Sequence, residues 1–547
     1  MTILEKNIQA LLSGVNEPLG NKLLNFIQNK TCSRFNIDEN LNIYDKTHNV
    51  FMYENLEEEL NFFYQSILEK TPRYPFVCIY GIGNALLIKN LAKHYKHLFV
   101  FESEIELFIL ALSTIDLSEE LCSGKIYLVD IEEERVDIQL LILFDMKDMF
   151  EYLSLYEMFV NNSFYKQFCE KTWCETDEFC KKNIEIVIRD SGLNSNLSFQ
   201  SYFHFLQNIP SMLESIPFQR ILSQRKNKFD NAIVVSAGPS LAKQLPLLKA
   251  CQDKAVIFCA DGALSMLEKE GIVPDYVTNL DFTDLAMKFF QNKENKTSLN
   301  ILSCATHPNV AHSLKAENCM IVLRNKALYQ RFNFNDFGYI DTGTHVSHFS
   351  YTLALALGFK NIIMIGQDLA FDEEGNSHSK GFDFGEKFSG EENIDKLKIP
   401  AYAGKGEVLT HTTWNDYRIK LEYLFACNDQ KAKFYNATEG GARINFTEEL
   451  SFKECCEKLL TKEKPKFELP KSLTKNRSDK LLVKFKEKIQ KDQENAKRFL
   501  DDALALKQIL ENILSKDFIL PLEFLEKVYQ NIENFNHSLD EDEFIQD

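Results

Sequence analysis

The sequence predicts an α/β protein whose centre is a doubly wound parallel sheet of the Rossmann type, between an N-terminal α/β domain and a C-terminal helical bundle. Three observations predict it. Short apolar runs, each ended by Gly or Asp and followed by apolar residues at helical spacing, recur from about residue 229 to 446. That is the signature of strand–helix units feeding a parallel sheet. A shorter series of the same kind runs over about 74–145. After Thr447 the strand signal stops, and Lys and Glu alternate around apolar residues at helical spacing. These shifts divide the chain into 1–228, 229–446 and 447–547.

The central series opens with Ile233-Val234-Val235-Ser236-Ala237-Gly238-Pro239-Ser240, followed by Leu241, Leu245 and Leu248. A buried strand, a tight turn and a helix start put free backbone N–H groups above the sheet. Such a start attracts anions, because the unsatisfied donors and the positive end of the helix dipole point the same way. Gly238 lets the backbone approach a phosphate, Pro239 presets the first helical φ, and Ser240 adds a hydroxyl donor. On this reading Gly238→Val combined with Ser240→Ala abolishes donor binding and leaves the fold intact.

Ala255–Ala260 is the next apolar run, closed by Asp261-Gly262. A turn at Gly271–Asp275 leads to Tyr276–Leu280 and Asp281. Asp341-Thr342-Gly343-Thr344 opens a helix pattern through Ala356, Gly358 closes it, and Asn361–Ile365 is a buried strand ending in Gly366-Gln367-Asp368. Ligands of doubly wound sheets bind outside the carboxyl ends of the strands, where Ser240, Asp261, Asp281 and Asp368 fall. An Asp after a strand also serves as a plain helix cap. Four polar strand ends in succession, with the Gly-Pro-Ser turn, favour a phosphate or nucleotide-sugar cleft.

Residues 1–70 read as mostly helical, with Ile8, Leu11 and Leu12 and then Leu23, Leu24 and Ile27 at helical spacing. Phe76–Tyr80 is a strand, Gly81-Ile82-Gly83-Asn84 a turn, Ala85–Tyr95 a helix, and Leu98–Phe101 a strand closed by Glu102. Glu102 stands where a dinucleotide fold holds a ribose hydroxyl, but Leu86 replaces the third glycine. A scaffold or protein-contact domain is the preferred reading of this half. From about Phe144 to Lys228, aromatic residues such as Phe150, Tyr156 and Phe159 recur at helical spacing. In the last segment Leu481, Leu482, Phe485 and Ile489 do the same, after a loop marked by Pro465 and Pro470.

Hydrophobic residues make up 45% of the 547, enough for a large core. A net charge of −18 argues against nucleic-acid or electrostatic membrane binding. The 13 cysteines show no metal-ligand spacing and read as reduced thiols. No apolar run approaches the roughly 18 residues of a membrane span, and the start lacks a signal-peptide pattern. A cytoplasmic location is expected.

Six segments then point to a family: Ser-Ala-Gly-Pro-Ser-Leu (236–241), Ala-Asp-Gly-Ala (260–263), Gly-Ile-Val-Pro-Asp-Tyr-Val (271–277), Leu-Ala-Leu-Ala-Leu-Gly-Phe (353–359), Ile-Gly-Gln-Asp-Leu-Ala-Phe (365–371) and Asn-Ala-Thr-Glu-Gly-Gly-Ala (436–442). Jointly they resemble the motility-associated factor (Maf) proteins, bacterial flagellin glycosyltransferases that move nonulosonic acids from CMP-activated donors onto Ser or Thr. The resemblance covers 230–445 closely and the whole chain by layout. The same core is similar, more distantly, to bacterial CMP-dependent sialyltransferases and to archaeal pterin pyrophosphokinases.

The resemblance implies a sialyltransferase-like central domain that uses a CMP-activated pseudaminic or legionaminic acid, with flagellin as acceptor. No cofactor is implied beyond the co-substrate. No metal is expected either, since Asp281-Phe282-Thr283-Asp284 replaces an Asp-x-Asp pair. Donor contacts are expected from Gly238, Pro239, Ser240, Asp261, Asp281, Thr342, Gly343, Thr344, Gln367 and Asp368, and donor or acceptor contacts from Glu439 and Arg443. Hydroxyl attack needs a base near working pH. His411, before a helix, and His378, in the loop after Asp368, are the candidates, His411 preferred. Two alternatives stay open: pyrophosphoryl transfer to a pterin-like molecule, and a non-catalytic flagellin-binding role.

Overall fold

The computed structural model describes residues 2–13, 16–133, 135–150, 152–191, 195–290, 298–388, 395–515 and 521–541. Two compact units divide the chain, Met1–Leu193 and Asn194–Asp547.

The first unit holds a four-stranded parallel sheet in the order Ile126–Asp130, His97–Glu102, Phe76–Tyr80, Met158–Val160. The last strand lies where helical spacing was expected. Its three residues pair with Cys78–Tyr80, so an open sheet edge overrides the local periodicity. The first 70 residues are helical at Ile3–Leu12, Glu17–Asn29 and Leu56–Lys70. Between them an antiparallel sheet of Phe35–Ile37, Ile43–Asp45 and Val50–Phe51 replaces the helical reading.

The glycine turn after Phe76–Tyr80 is filled from within. A Cβ on Gly81, at φ +94, would stand 2.3 Å from the Tyr165 ring. The Tyr165 hydroxyl donates to Glu102 Oε2 at 2.6 Å and accepts from the Gly83 N–H at 3.1 Å. Glu102 also takes the N–H groups of Ile82, Ser103 and Glu104. Tyr165 thus uses the carboxylate and the backbone that a ribose and phosphate would need.

The second unit is built on nine parallel strands: β1 (Asn231–Val235), β2 (Val256–Ala260), β3 (Tyr276–Asn279), β4 (Leu299–Ser303), β5 (Cys319–Arg324), β6 (Tyr339–Ile340), β7 (Asn361–Ile365), β8 (Lys433–Asn436) and β9 (Glu448–Glu449). Their spatial order is β6-β5-β4-β3-β2-β1-β7-β8-β9. The chain therefore winds outward from β1 in one direction, then returns to β7 and winds in the other. The β1/β7 boundary is the switch point at which doubly wound folds bind ligands.

Strands β1 and β2 are buried on both faces, which explains their unbroken apolar runs. Ala232, Val234, Val256 and Phe258 pack on one side with Phe349, Leu353, Leu421 and Phe425. Ile233, Val235, Ile257 and Cys259 pack on the other with Leu241, Leu245 and Leu248. Gly358, at φ +80, ends the helix Val346–Leu357 in the left-handed cap that only glycine adopts cheaply.

Of the residues from Thr447 on that were read as a bundle, Glu448–Glu449 join the main sheet as β9, and Phe452–Lys458 is a helix whose Phe452 and Cys455 pack in its core. Lys475–Leu514 and Leu522–Glu541 are two further helices. Leu481, Leu482, Phe485 and Ile489 of Lys475–Leu514 lie on the core that contains Phe205, Ile209 and Phe332. Among the described residues no helix is long and apolar enough to cross a membrane.

Candidate active site

Strand β1 ends at Val235, and the turn to the helix Leu241–Cys251 is held by contacts from β7's own turn. Ser236 Oγ donates to Gln367 Oε1 at 2.9 Å. The Gly238 N–H donates to the Gly366 carbonyl at 2.8 Å. Asp368 Oδ2 accepts from Ser240 Oγ at 2.8 Å and from the Ser240 N–H at 3.2 Å. The anion at this helix start is therefore the protein's own carboxylate. A Cβ on Gly238 would stand 2.2 Å from Asp368 Oδ2 and 2.5 Å from the Gly366 carbonyl. Gly238 is thus required by packing between two turns, and the expectation that Gly238→Val spares the fold is corrected. Pro239, half-buried beside it, shapes the same turn.

Asp368 is enclosed from a third side. The Ala442 N–H donates to its carbonyl at 2.7 Å, and a Cβ on Gly441, at φ +74, would lie 2.4 Å from its Cα. Burial raises the Asp368 carboxyl to about 6, against the lowering effect of the Ser240 bonds.

Asp261, one strand further along, is buried beyond β2. Its Oδ1 accepts from the Gly262 N–H at 2.7 Å, and its Oδ2 takes the Asn279 amide. Burial first, and then the charge of Asp281, raise it to about 7. A carboxyl shifted so far by burial and a neighbouring charge is a candidate functional group. Asp281 itself is half-buried and accepts from the Thr283 N–H at 2.8 Å, an Asx-turn contact within its own loop.

The helix Val346–Leu357 begins over the same end of the sheet: Ser347 Oγ lies 2.9 Å from Ser236 Oγ, and Ser350 Oγ 2.7 Å from Thr278 Oγ1. His345 caps it, its Nδ1 accepting from the His348 N–H at 3.1 Å. Gly343 sits at φ +59, and a Cβ there would strike the His348 ring at 2.3 Å. Thr342 Oγ1 accepts from Arg324 Nε at 3.1 Å. Thr344 Oγ1 is buried with no hydrogen-bond partner.

His378 and His411 meet at one indole. Trp414 lies 4.0 Å from the His411 ring and 6.4 Å from the His378 ring, centroid to centroid. His411 ends a hairpin of Lys396–Pro400 with Glu407–His411, which the sequence reading missed. Thr410 Oγ1 ties the hairpin to the Leu369 carbonyl at 2.7 Å, next to Asp368. His411 caps the helix Thr412–Ala426, its Nδ1 accepting from the Trp414 N–H at 3.4 Å. That bond leaves the ring proton on Nε2, which is buried and unpartnered. Burial and then Lys396 lower His411 to about 4.

His378 stacks on Phe382 at 3.9 Å, and burial lowers it likewise to about 4. The loop that carries it covers the strand ends: Ser379 N–H donates to the Ala237 carbonyl, and Ser379 Oγ accepts from Ala242 N–H. A depression of about 680 Å³ lies along this loop against Phe382, Phe384 and Phe388.

Glu439 and Arg443 are engaged elsewhere. Glu439 Oε1 accepts from the Phe452 N–H at 2.9 Å, and Arg443 Nε stands 3.9 Å from Glu449 Oε1. Sequence reasoning missed Ser236, Asn279, Ser347 and Trp414. Ser236 and Asn279 lie one position beyond and at the end of strands already recognised, so strand-end position was the usable signal. Among the described residues no group of three His, Cys, Asp or Glu side chains is placed to hold a metal ion.

Residues 203–374 match the family described as 6-hydroxymethylpterin diphosphokinase MptE-like. No curated protein matches the chain. Among solved structures, the chain is similar to a MAf glycosyltransferase from Magnetospirillum magneticum AMB-1, with 17% identity, 89% of this chain and 78% of that chain covered, and a TM-score of 0.45.

Proposed function

We propose that the second unit is a glycosyltransferase that moves a nonulosonic acid of the pseudaminic or legionaminic type from a CMP-activated donor to Ser or Thr hydroxyls of flagellin. The observation that carries this reading is the pair of buried carboxylates, Asp261 and Asp368, at strand ends beside the β1/β7 switch point. In the transfer, the bond from the anomeric carbon to the phosphate oxygen breaks and CMP leaves. The acceptor oxygen bonds to that carbon and its proton passes to a base. Asp261 fits the base better than either histidine. Its carboxyl near 7 is matched to neutral pH, whereas groups near 4 accept protons weakly there. His411 then serves as a fixed Nε2–H donor. Thr344 Oγ1 is the free hydroxyl for the departing phosphate, and Asp368 with Ser240 holds the turn.

The match over 203–374 favours a second reading, diphosphate transfer from ATP to a pterin-like heterocycle. Nucleotide products separate the two. The purified protein is incubated with flagellin and CMP-nonulosonic acid, or with ATP and hydroxymethylpterin, each with and without EDTA. Flagellin-dependent release of CMP that survives EDTA supports glycosyl transfer. Release of AMP that requires magnesium supports the diphosphokinase instead.

A further inference from the structure

Cys251 ends the helix that follows the Gly-Pro-Ser turn, and Cys456 lies on the helix Phe452–Lys458 beyond β9. Cys251 is buried, Cys456 half-buried, and the Cys456 thiol donates to Cys251 Sγ at 3.5 Å. The chain after Cys456 straps the amino ends of the strands. Asn231 Nδ2 donates to the Leu459 carbonyl at 2.9 Å, the Lys464 N–H to the Asp253 carbonyl at 2.7 Å, and Lys464 Nζ lies 2.6 Å from Asp275 Oδ2. Two sulfurs in contact on packed helices need only a small approach to reach bonding distance.

We propose that Cys251 and Cys456 are an oxidative modification site, closing to a disulfide that fastens this strap to the sheet. The contact also lowers the Cys251 thiol, through the hydrogen bond from Cys456 and then Lys254, which favours the thiolate. A small peroxide is the oxidant. The Cys251 thiolate attacks one peroxide oxygen, the O–O bond breaks and hydroxide leaves, giving a sulfenic acid. The Cys456 thiol attacks that sulfur, the S–O bond breaks, and the hydroxyl departs with the thiol proton as water. Hydroxide recovers the proton lost when Cys251 ionised, so two thiols are oxidised and one peroxide becomes two waters.

The full-length reduced protein is treated with hydrogen peroxide at low protein concentration, alkylated, and digested without reductant. The expected result is a linked peptide pair joining Cys251 to Cys456, lighter by two hydrogens and separated by dithiothreitol. The oxidised protein should melt at a higher temperature than the reduced one, reversibly. Cys456→Ser should leave Cys251 as a sulfenic acid that a dimedone probe traps. If the exposed Cys122, Cys174 and Cys427 oxidise while Cys251 and Cys456 are alkylated, or if Cys251 links to another cysteine, the proposal is overturned. The linked-peptide result uses the wild-type chain and stands whether or not the variant folds.

Discussion

Asp261 carries the sharpest chemistry at the residue scale. Its folded pKa, about 7, stands above that of a free aspartate near 3.9. The folded state therefore keeps a proton that the unfolded chain has released, so this group's contribution is fully present at low pH. It is lost as pH rises from about 4 through about 7. Asp261→Asn should flatten the decline in stability over that window, as denaturant titrations at several pH values would report. It should also lower turnover by roughly 10²–10⁴ if the carboxylate takes the acceptor proton. Near-normal turnover would return the base to a histidine.

For His411 the cap is separable from the ring chemistry. His411→Ala removes the acceptor for the Trp414 N–H and should cost about 1 kcal/mol of stability. His411→Asn, a good cap, should restore the melting temperature but not the Nε2–H donor. Equal melting of the two variants would show that the cap contributes nothing. Position was legible here: His411 was expected just before a helix, and it caps one. The tautomer was not, because it is set by a backbone N–H whose direction only the folded turn fixes.

Among elements, the turns at the switch point separate packing from ligand approach. Gly238→Ala drives a Cβ into Asp368 and the Gly366 carbonyl, and should cost about 1–3 kcal/mol by overpacking. Gly375→Ala, at φ +78 with open space around its Cβ, meets only the left-handed backbone penalty of about 1–2 kcal/mol. Calorimetry of both, with CMP added, tests whether Gly238 acts through the fold. An unchanged melting temperature with lost CMP binding would instead revive the phosphate-approach reading. Strands β1, β2 and β7 were readable because burial leaves them long apolar runs, whereas β3, Tyr-Val-Thr-Asn, was marked by the Gly271–Asp275 turn before it. The hairpin ending at His411 was not, because its two short strands carry polar and apolar residues in equal number and pair only with each other, outside the main sheet. Met158–Val160 was misread because three residues carry too little periodicity to outweigh their neighbours.

Over the whole molecule, two Rossmann-like sheets lie in one chain, but their ligand ends differ. In the first unit Tyr165 occupies the glycine turn and binds Glu102. The full-length protein should therefore show no binding of NAD or S-adenosylmethionine by calorimetry that maps to this unit. Tyr165→Phe should cost about 1–3 kcal/mol, because it leaves the buried Glu102 and the Gly83 N–H without the hydroxyl. Saturable binding that Tyr165→Trp abolishes would contradict the plug. In the second unit the polar strand ends converge on β1 and β7, and the proposed chemistry lies there. The intact mass of flagellin after incubation with this protein and CMP-nonulosonic acid tests that claim most directly. The account predicts flagellin heavier by whole nonulosonic acid residues with wild-type protein, and little or no gain with Asp261→Asn. Flagellin of unchanged mass beside active wild-type protein that instead transfers diphosphate to a pterin would contradict it.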